Sequence, residues 1–221
     1  MSKELLIVFA KVPLPGSCKT RLAASIGDER AARLAEAFLR ETIELGEGAG
    51  CDRALYFAPA EESERARRLA PPGWTVEPQS GGDLGLRMAG AFEEAFRRGY
   101  ERAAVIGSDS PQLGAPLVRR AFELLGVADV VLGPATDGGY YLMALRSPCP
   151  GLFAGIPWST PAVLSRTLAR CGSLGLTVEL LPELRDVDEL GDLLALVRYL
   201  ADSGGSPALL QACLEALVRG G

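Results

Sequence analysis

Histidine is absent from all 221 residues of the chain. This absence excludes Ser-His-Asp and Cys-His catalysis, imidazole proton shuttles and most zinc hydrolase sites. Any chemistry that the chain performs must therefore rest on carboxylates, cations, hydroxyl groups, main-chain amides or a bound metal ion.

Paired cysteines and long apolar runs are also missing. The five cysteines are widely spaced without a C-x-x-C pair, so the sequence predicts neither a disulfide framework nor a zinc site. No apolar stretch approaches the roughly 18 residues of a membrane span, and the N-terminus shows no cleavable apolar segment. The net charge of -5 disfavours general nucleic-acid binding. We therefore expect a cytoplasmic protein that binds neither membrane nor nucleic acid.

Two familiar nucleotide-binding fingerprints are lacking. No G-x-G-x-x-G follows the first apolar strand, which disfavours a Rossmann dehydrogenase or methyltransferase. The stretch G-S-C-K-T is not a P-loop, because Cys18 stands where that motif requires glycine before lysine.

What the chain does have is a basic loop after its first strand. The apolar run 5–10 is typical of a buried parallel strand, and the prolines and the glycine that follow turn the chain out of the sheet. The loop carries three cations and no acid. We expect it to bind a di- or triphosphate through charged side chains and loop amides. The candidate residues are Ala10, Lys11, Gly16, Lys19 and Arg21.

The rest of the chain alternates strands with amphipathic helices, which predicts a single α/β domain over residues 1–221. Asp28 is expected to cap the first helix, and Ser159 or Thr160 the helix that begins near Pro161. The final amphipathic helix is expected to serve packing or to leave a surface for a homodimer. The predicted strands cover 5–10, 53–58, 74–78, 102–107, 129–132 and 176–181 with an aromatic strand after Gly139, and the predicted helices cover 28–45, 61–69, 84–96, 116–125, 161–171, 189–202 and 207–219.

A glycine-rich loop, 79–87, leads into one of these helices. Its glycines allow close approach of the backbone to a ligand, with Gln79, Asp83 and Arg87 as candidate nucleotide contacts. The alternative is a connector in which Asp83 only caps the helix.

Carboxylates follow several strands. Asp109 comes directly after a buried strand and is expected to point into the crevice at the sheet edge as a metal ligand. Asp186 and Asp188, spaced by one residue, would face one site if the backbone is extended, and such oxygen donors suit Mg²⁺ or Mn²⁺. The alternative for Asp188 is that it caps the following helix.

Asp137 stands beside two glycines, before an aromatic strand. Because no histidine is available, it is the candidate base for an acceptor hydroxyl; a tight hairpin is the alternative interpretation. With the loop at 156–160 it predicts a donor and acceptor pocket. That pocket comprises Gly138, Gly139, Tyr140, Trp158, Ser159 and Thr160.

Six segments together resemble a known family. They are F-A-K-V-P-L-P-G-S-C-K-T-R-L, G-D-L-G-L-R-M, I-G-S-D-S-P-Q-L, D-G-G-Y-Y-L, I-P-W-S-T and L-R-D-V-D. The chain resembles a bacterial branch of the glycosyltransferase-A, or nucleotide-diphospho-sugar transferase, superfamily, labelled arsenosugar-biosynthesis-type or selenodomain-associated. It departs from that pattern at Leu86, where glutamate is common, and after Asp188, where Thr-Pro-Glu-Asp is replaced by Glu-Leu-Gly-Asp.

The resemblance implies a three-layer α/β/α, Rossmann-like, mostly parallel sheet that binds a nucleotide at the first loop. It implies Asp109 and Asp188 as ligands of Mg²⁺ or Mn²⁺, with Asp137 facing donor or acceptor. The expected activity is glycosyl transfer from a nucleotide-sugar to a small acceptor. The alternatives are nucleotidyl transfer from an NTP with release of pyrophosphate, and a non-catalytic nucleotide-binding module.

Overall fold

The sheet of this computed structural model, which describes residues 3–218, has the strand order β3-β2-β1-β4-β6-β5-β7. All neighbouring strands are parallel except those that pair with β6, which is antiparallel to both β4 and β5. The strands are β1 Glu4–Lys11, β2 Asp52–Ala58, β3 Thr75–Pro78, β4 Arg102–Ile106, β5 Val130–Pro134, β6 Tyr140–Leu145 and β7 Val178–Leu180.

Within the described range, eight α-helices accompany the strands. They are α1 Thr20–Ile26, α2 Asp28–Glu47, α3 Ser63–Leu69, α4 Leu84–Arg97, α5 Ala115–Leu124, α6 Val163–Ser173, α7 Leu190–Ser203 and α8 Pro207–Leu217, with a 3₁₀ turn at Ala60–Glu62. None of these helices is long and apolar enough to cross a membrane.

Strand β1 lies at the centre of the core because both of its faces are apolar. Leu6 and Val8 pack into a cluster with α2 and α5, whereas Leu5, Ile7 and Phe9 pack into a second cluster with α4. Burial on both faces is the reason why this strand reads as a continuous apolar run. The predicted three-layer, mostly parallel α/β sheet is confirmed.

Helices α1, α2, α7 and α8 form a third apolar cluster. Leu22, Phe38, Leu196 and Cys213 are among its buried side chains. This cluster packs α1, the helix that follows the basic loop, against the C-terminal helices. The last helix is therefore a packing element in this structure, as one of the two expectations had it.

The sequence prediction is wrong at two helix starts. The N-cap of α2 is Gly27 (φ 86°, ψ 152°), and Asp28 is the first residue of the helix. Helix α1, which was not predicted, ends directly at Gly27, so no residue remains for an Asp28 cap. Asp28 and Glu29 instead lie in the first turn, where acids interact favourably with the helix dipole.

The second wrong start is that of α6, whose N-cap is Ala162 and not Ser159 or Thr160. The Thr160 hydroxyl donates to the Pro157 carbonyl (2.7 Å) and accepts from the Ala162 amide (3.3 Å), so it closes the turn before the helix. The predicted alternative for Asp188 is also wrong, because Glu189 caps α7 through a capping box with Asp192. Asp188 is thereby left to face the cleft described next.

Candidate functional site

An open cleft of about 570 Å³ lies at the carboxyl ends of β1 and β4. These two strands are parallel neighbours, so the loops that leave them meet at the same edge of the sheet. Eleven of the predicted site residues line the cleft. They are Ala10, Lys11, Lys19, Arg21, Gln79, Arg87, Asp109, Tyr140, Ser159, Asp186 and Asp188.

Lys19 lies at the base of this cleft and connects its walls. Its side chain is only 4% exposed, and its ammonium group forms an ion pair with Asp109. The same group donates to the Val187 carbonyl (2.7 Å) and lies 3.9 Å from Asp188 Oδ1. The loops after β1, β4 and β7 therefore converge on one cation, although Lys19 and Val187 are 168 positions apart in sequence.

The backbone at Lys19 explains how a basic side chain comes to point inward. Lys19 is the N-cap of α1 in the left-handed region (φ 49°, ψ 41°), which a residue with a side chain adopts at an energetic cost. Ser159 (φ 62°) is the other non-glycine residue in this region within 3–218, and it also lines the cleft. Both non-glycine residues with a left-handed backbone in the described part of the chain thus lie in the cleft walls.

The three aspartates near Lys19 differ in burial and in their hydrogen bonds. Burial raises the pKa of Asp186 to about 6, although a hydrogen bond from the Ser110 hydroxyl opposes the shift, and three neighbouring carboxylates add to it. Burial also raises the pKa of Asp188, which Lys19 partly offsets. The Asp109 side chain is 54% exposed, and its backbone carbonyl accepts from the Val187 amide at 2.9 Å. Negative charge is therefore concentrated around one ammonium group.

Gln79 and Arg87 form another wall. The Gln79 amide group donates to the carbonyls of Tyr56 (3.0 Å) and Ala10 (3.3 Å), so it joins the ends of β1 and β2. Arg87 donates to the Gly82 carbonyl at 2.9 Å and closes the glycine-rich loop onto α4. Asp83 lies outside the cleft lining and caps α4 by accepting from the Leu86 amide at 2.9 Å, which was its alternative interpretation.

The turn between β5 and β6, residues 135–139, lies outside the cleft lining. Asp137 Oδ1 accepts from the Gly139 amide at 2.7 Å, yet Asp137 is close enough to raise the pKa of Asp186. Gly138 (φ 88°) lies against the Pro161 backbone, and its carbonyl accepts from the Leu164 amide at 2.9 Å. These residues hold the turn and its contact with α6, and they do not line the cleft.

Three other predicted residues lie outside the cleft lining. Trp158 packs against Phe153, with ring centroids 6.5 Å apart, and covers Gly85 of α4. Thr160 closes the turn before α6, and Gly16 lies near Asp28. Tyr140 does line the cleft, and burial raises the pKa of its phenol, so it stays neutral.

The sequence reasoning missed part of the lining. Ser110, which is 7% exposed and holds Asp186, belongs to the same S-D-S-P stretch as Asp109, and that stretch is the signal that could have identified it. Thr20 and Cys18 also line the cleft. The Val187 carbonyl carries no signal in the sequence, because any residue supplies a carbonyl.

The donor set suits a divalent cation, although within residues 3–218 no group of three Cys, Asp or Glu side chains is placed to hold a metal ion. Asp186 instead bonds to Ser110, and the Lys19 ammonium lies among oxygens of Asp109, Asp188 and Val187. A cation is thus already held by oxygen ligands of the kind that Mg²⁺ and Mn²⁺ prefer. Two carboxylates are enough for such ions when substrate phosphates and water complete the shell.

Comparisons with known proteins identify relatives of this chain. Residues 42–160 match the profile of a family described as "Uncharacterized protein conserved in bacteria (DUF2064)". A 3-phospho-D-glycerate guanylyltransferase from Phenylobacterium zucineum (strain HLK1) is 33% identical over 156 residues, which are 69% of this chain and 68% of that protein.

Two solved structures show the same fold. One, from Desulfovibrio desulfuricans G20, carries the provisional name nucleotide-diphospho-sugar transferase and is 33% identical, with a TM-score of 0.90 over 99% of this chain and 100% of that chain. The other is Rv0371C in complex with manganese from Mycobacterium tuberculosis H37Rv. It is 17% identical, with a TM-score of 0.54 over 88% of this chain and 98% of that chain, and shows likeness of fold alone.

Proposed function

The chain belongs to the DUF2064 family, and from its cleft and its relatives we infer that it is a transferase that uses a nucleotide-activated donor. The observation that carries this proposal is the convergence of Lys19 and Asp109 in one cleft at the carboxyl ends of β1 and β4. Cations for phosphates and carboxylates for a divalent ion are the two requirements of this chemistry, and both line the same space.

We propose nucleotidyl transfer as the reaction. The 33% identity to a guanylyltransferase supports it over two thirds of each chain. A phosphate oxygen of a small acceptor would attack the α-phosphorus of an NTP, and the bond from that phosphorus to the bridging oxygen would break, with release of pyrophosphate. By its name the relative points to GTP and 3-phospho-D-glycerate as the first substrates to test.

Three cations on the cleft walls would hold the triphosphate. Lys11 and Arg21 are exposed, and Arg87 is half-buried, so each can turn a charged donor toward a ligand. A hydrogen bond between charged groups is worth about 1.5 to 3 kcal/mol. The loop amides after β1 would add neutral donors.

Asp109 and Asp188, with Asp186 as an auxiliary, would hold a divalent ion, Mg²⁺ or Mn²⁺. The ion would neutralise charge on the departing phosphate. A distant relative of the same fold was solved with manganese, which supports Mn²⁺ as the first ion to test.

The role proposed for Asp137 depends on the acceptor. A phosphate monoester has a second pKa near 6 and is already a nucleophile at neutral pH, so nucleotidyl transfer to it requires no base. A hydroxyl acceptor does require one, and Asp137 is then the candidate, because it is close enough to the acid cluster to raise the pKa of Asp186. With a phosphate monoester as acceptor, the role of Asp137 is only to hold the hairpin turn by accepting from the Gly139 amide.

Glycosyl transfer from a nucleotide-sugar is the second candidate. The provisional name of the Desulfovibrio structure, which matches nearly the whole chain, favours it. The narrower resemblance to the arsenosugar-biosynthesis-type and selenodomain-associated branch belongs with this candidate and stays a prediction. A nucleotide-binding module without catalysis is the third possibility.

The test is a product assay. The protein is incubated with Mn²⁺ or Mg²⁺ and each of the four NTPs plus 3-phospho-D-glycerate, or with a panel of nucleotide-sugars, and both pyrophosphate and NDP are measured. Pyrophosphate release that depends on the acceptor supports nucleotidyl transfer, whereas NDP release supports glycosyl transfer. Metal-dependent binding with neither product over hours supports the non-catalytic module.

The matched variant is Asp109→Asn, which keeps the size of the side chain and removes its charge. We expect a loss of turnover of at least a hundredfold at saturating Mg²⁺. Unchanged turnover would exclude Asp109 as a metal ligand.

A further inference from the structure

We propose that Lys19 is a resident cation that occupies the divalent-cation position between Asp109 and Asp188, so that a divalent ion can enter only when Lys19 leaves those carboxylates. This inference rests on the proposed function for the identity of the entering ion. It deepens that proposal, because it assigns Lys19 a role in the metal-binding step instead of a simple role as a phosphate contact.

The first support is the placement of the Lys19 ammonium. It is held by one carboxylate of the loop after β4 and by the carbonyl of Val187, with Asp188 Oδ1 at 3.9 Å. These oxygens come from both loops that are proposed to supply the metal ligands. A divalent ion that used Asp109 and Asp188 would therefore have to take the place of the ammonium group.

The second support is burial. The Lys19 side chain is 4% exposed, and its ammonium lies 5.2 Å from the centre of the Phe38 ring. Lys11 lines the same cleft but is exposed and forms no ion pair within residues 3–218. A buried cation needs its partners far more than an exposed one does, because separation would leave the buried ammonium with neither a counter-charge nor solvent. Lys19 is thus held in the acid cluster in the free protein, and its ammonium must leave these partners before it can meet a phosphate.

The third support is charge balance. Lys19 compensates part of the charge of Asp109 and Asp188, and a divalent ion placed beside a retained ammonium would be repelled by it. A nucleotide brings the additional negative charge that lets both cations remain. The structure therefore favours joint entry, in which the divalent ion takes the carboxylates and Lys19 moves to phosphate oxygens.

The test is direct binding of Mn²⁺ in the absence of any nucleotide, measured by electron paramagnetic resonance of the free ion. We expect wild type to bind weakly and Lys19→Met to bind at least tenfold more tightly, because the competing cation is gone. The matched control is Lys11→Met, which removes the same charge from the same cleft. Its Mn²⁺ affinity should change less than threefold.

Equal Mn²⁺ affinity in wild type and Lys19→Met would overturn the proposal, and so would an equal gain in Lys11→Met. The double variant Lys19→Met/Asp109→Asn locates the ion, because the gain must disappear when Asp109 loses its charge. A gain that survives in the double variant would also overturn the proposal. Lys19→Gln, which keeps a donor for the Val187 carbonyl, carries the same test if circular dichroism shows that Lys19→Met is unfolded.

Wild type supplies an independent check. Inorganic tripolyphosphate should raise the Mn²⁺ affinity of the wild-type protein more than that of the Lys19→Met protein, after correction for Mn²⁺ bound by tripolyphosphate alone. These readouts need no turnover. The Mn²⁺ results can therefore support the role of Lys19 even if no product is found, and the product assay can succeed even if Lys19 does not affect Mn²⁺ binding.

Discussion

Two lysines of the same loop show how burial decides the role of a charge. Lys11 ends β1 with its side chain exposed, whereas the side chain of Lys19 is 4% exposed and lies among oxygens of two other loops. From sequence alone the two lysines cannot be distinguished, because both are cations that follow the first predicted strand. The structure separates an exposed cation, accessible to a ligand, from a buried cation that is held among the acids.

Cys18, next to Lys19, is expected to be a slow nucleophile. Burial raises the pKa of its thiol, and the charge of Lys19 opposes this shift only in part. The protonated thiol donates a hydrogen bond to the Leu14 carbonyl (3.4 Å). The reactive thiolate is therefore scarce at pH 7.5, and its fraction rises only as the pH passes the usual range of a free thiol. We expect iodoacetamide to label Cys18 more slowly than N-acetylcysteine at pH 7.5, with the rate increasing toward pH 10.

Peptide mass spectrometry after timed labelling measures this rate for each cysteine. Exposure must be separated from ionisation, so the labelling is repeated over a range of pH. Slow labelling caused by a raised pKa disappears at high pH, whereas slow labelling caused by poor access persists. Labelling of Cys18 at pH 7.5 as fast as N-acetylcysteine would contradict the raised pKa.

The residues of the cleft divide into those that the sequence could predict and those that it could not. Lys19 and Asp109 were predictable because each follows a buried strand, and parallel strands bring their carboxyl ends together. The Val187 carbonyl was not, because its contact with Lys19 depends on how the loop before α7 packs. Asp83 and Trp158 were assigned to the site from composition, but their neighbours give them capping and packing roles instead.

At the scale of elements, the β5–β6 hairpin depends on Gly138. This residue has a φ of 88°, and a Cβ there would collide with the backbone of Pro161. The Gly138 carbonyl also accepts from the Leu164 amide of α6, at 2.9 Å. One glycine thus sets the contact between the hairpin and α6.

Gly138→Ala should destabilise the protein by about 2 to 4 kcal/mol, since the left-handed backbone and the collision both cost energy. Gly155→Ala is the matched control, because Gly155 has a φ of 73° with nothing within 4 Å of the added Cβ. We expect about 1 kcal/mol there. Urea denaturation measures both values, and equal losses would show that Gly138 is held by backbone conformation alone.

The helices also show which local sequence signals are sufficient to predict an element. Helix α1 has only seven residues and was not predicted, because two turns are too few for a periodic apolar pattern. Helix α7 was predicted nearly to its ends, although Asp188 was offered as its cap and the capping box between Glu189 and Asp192, which is a local signal, was missed. The cap that was assigned to Asp28 failed because the preceding helix ends at Gly27, which only the packed structure reveals.

At the scale of the whole molecule, the strand order explains the position of the cleft. Strand β1 is bordered by β2 and β4 in parallel, and the antiparallel β6 separates β4 from β5. The cations come from the end of β1, the loop after it and the first turns of α1 and α4, and the acids from the loop after β4 and from the segment between β7 and α7. Alternation of strands and helices predicted the class of this sheet, but the strand order depends on which buried faces fit together, and no local pattern encodes that.

The intact protein should therefore be stabilised by nucleotide and divalent ion together. A ligand at one hundred times its dissociation constant stabilises the folded state by about 2.7 kcal/mol. For a chain of this size each kcal/mol raises Tm by about 2 to 4 °C, so we expect a rise of about 5 to 10 °C with the correct NTP and Mn²⁺. Mn²⁺ alone should give a much smaller rise, because Lys19 holds the two carboxylates in the free protein.

Differential scanning fluorimetry with the four NTPs, with Mn²⁺ or with EDTA, measures this, and Asp109→Asn should lose the joint effect. A full shift with NTP in EDTA would contradict a shared site for the phosphates and the ion, because the acids around Lys19 would then repel the triphosphate without the ion that offsets them.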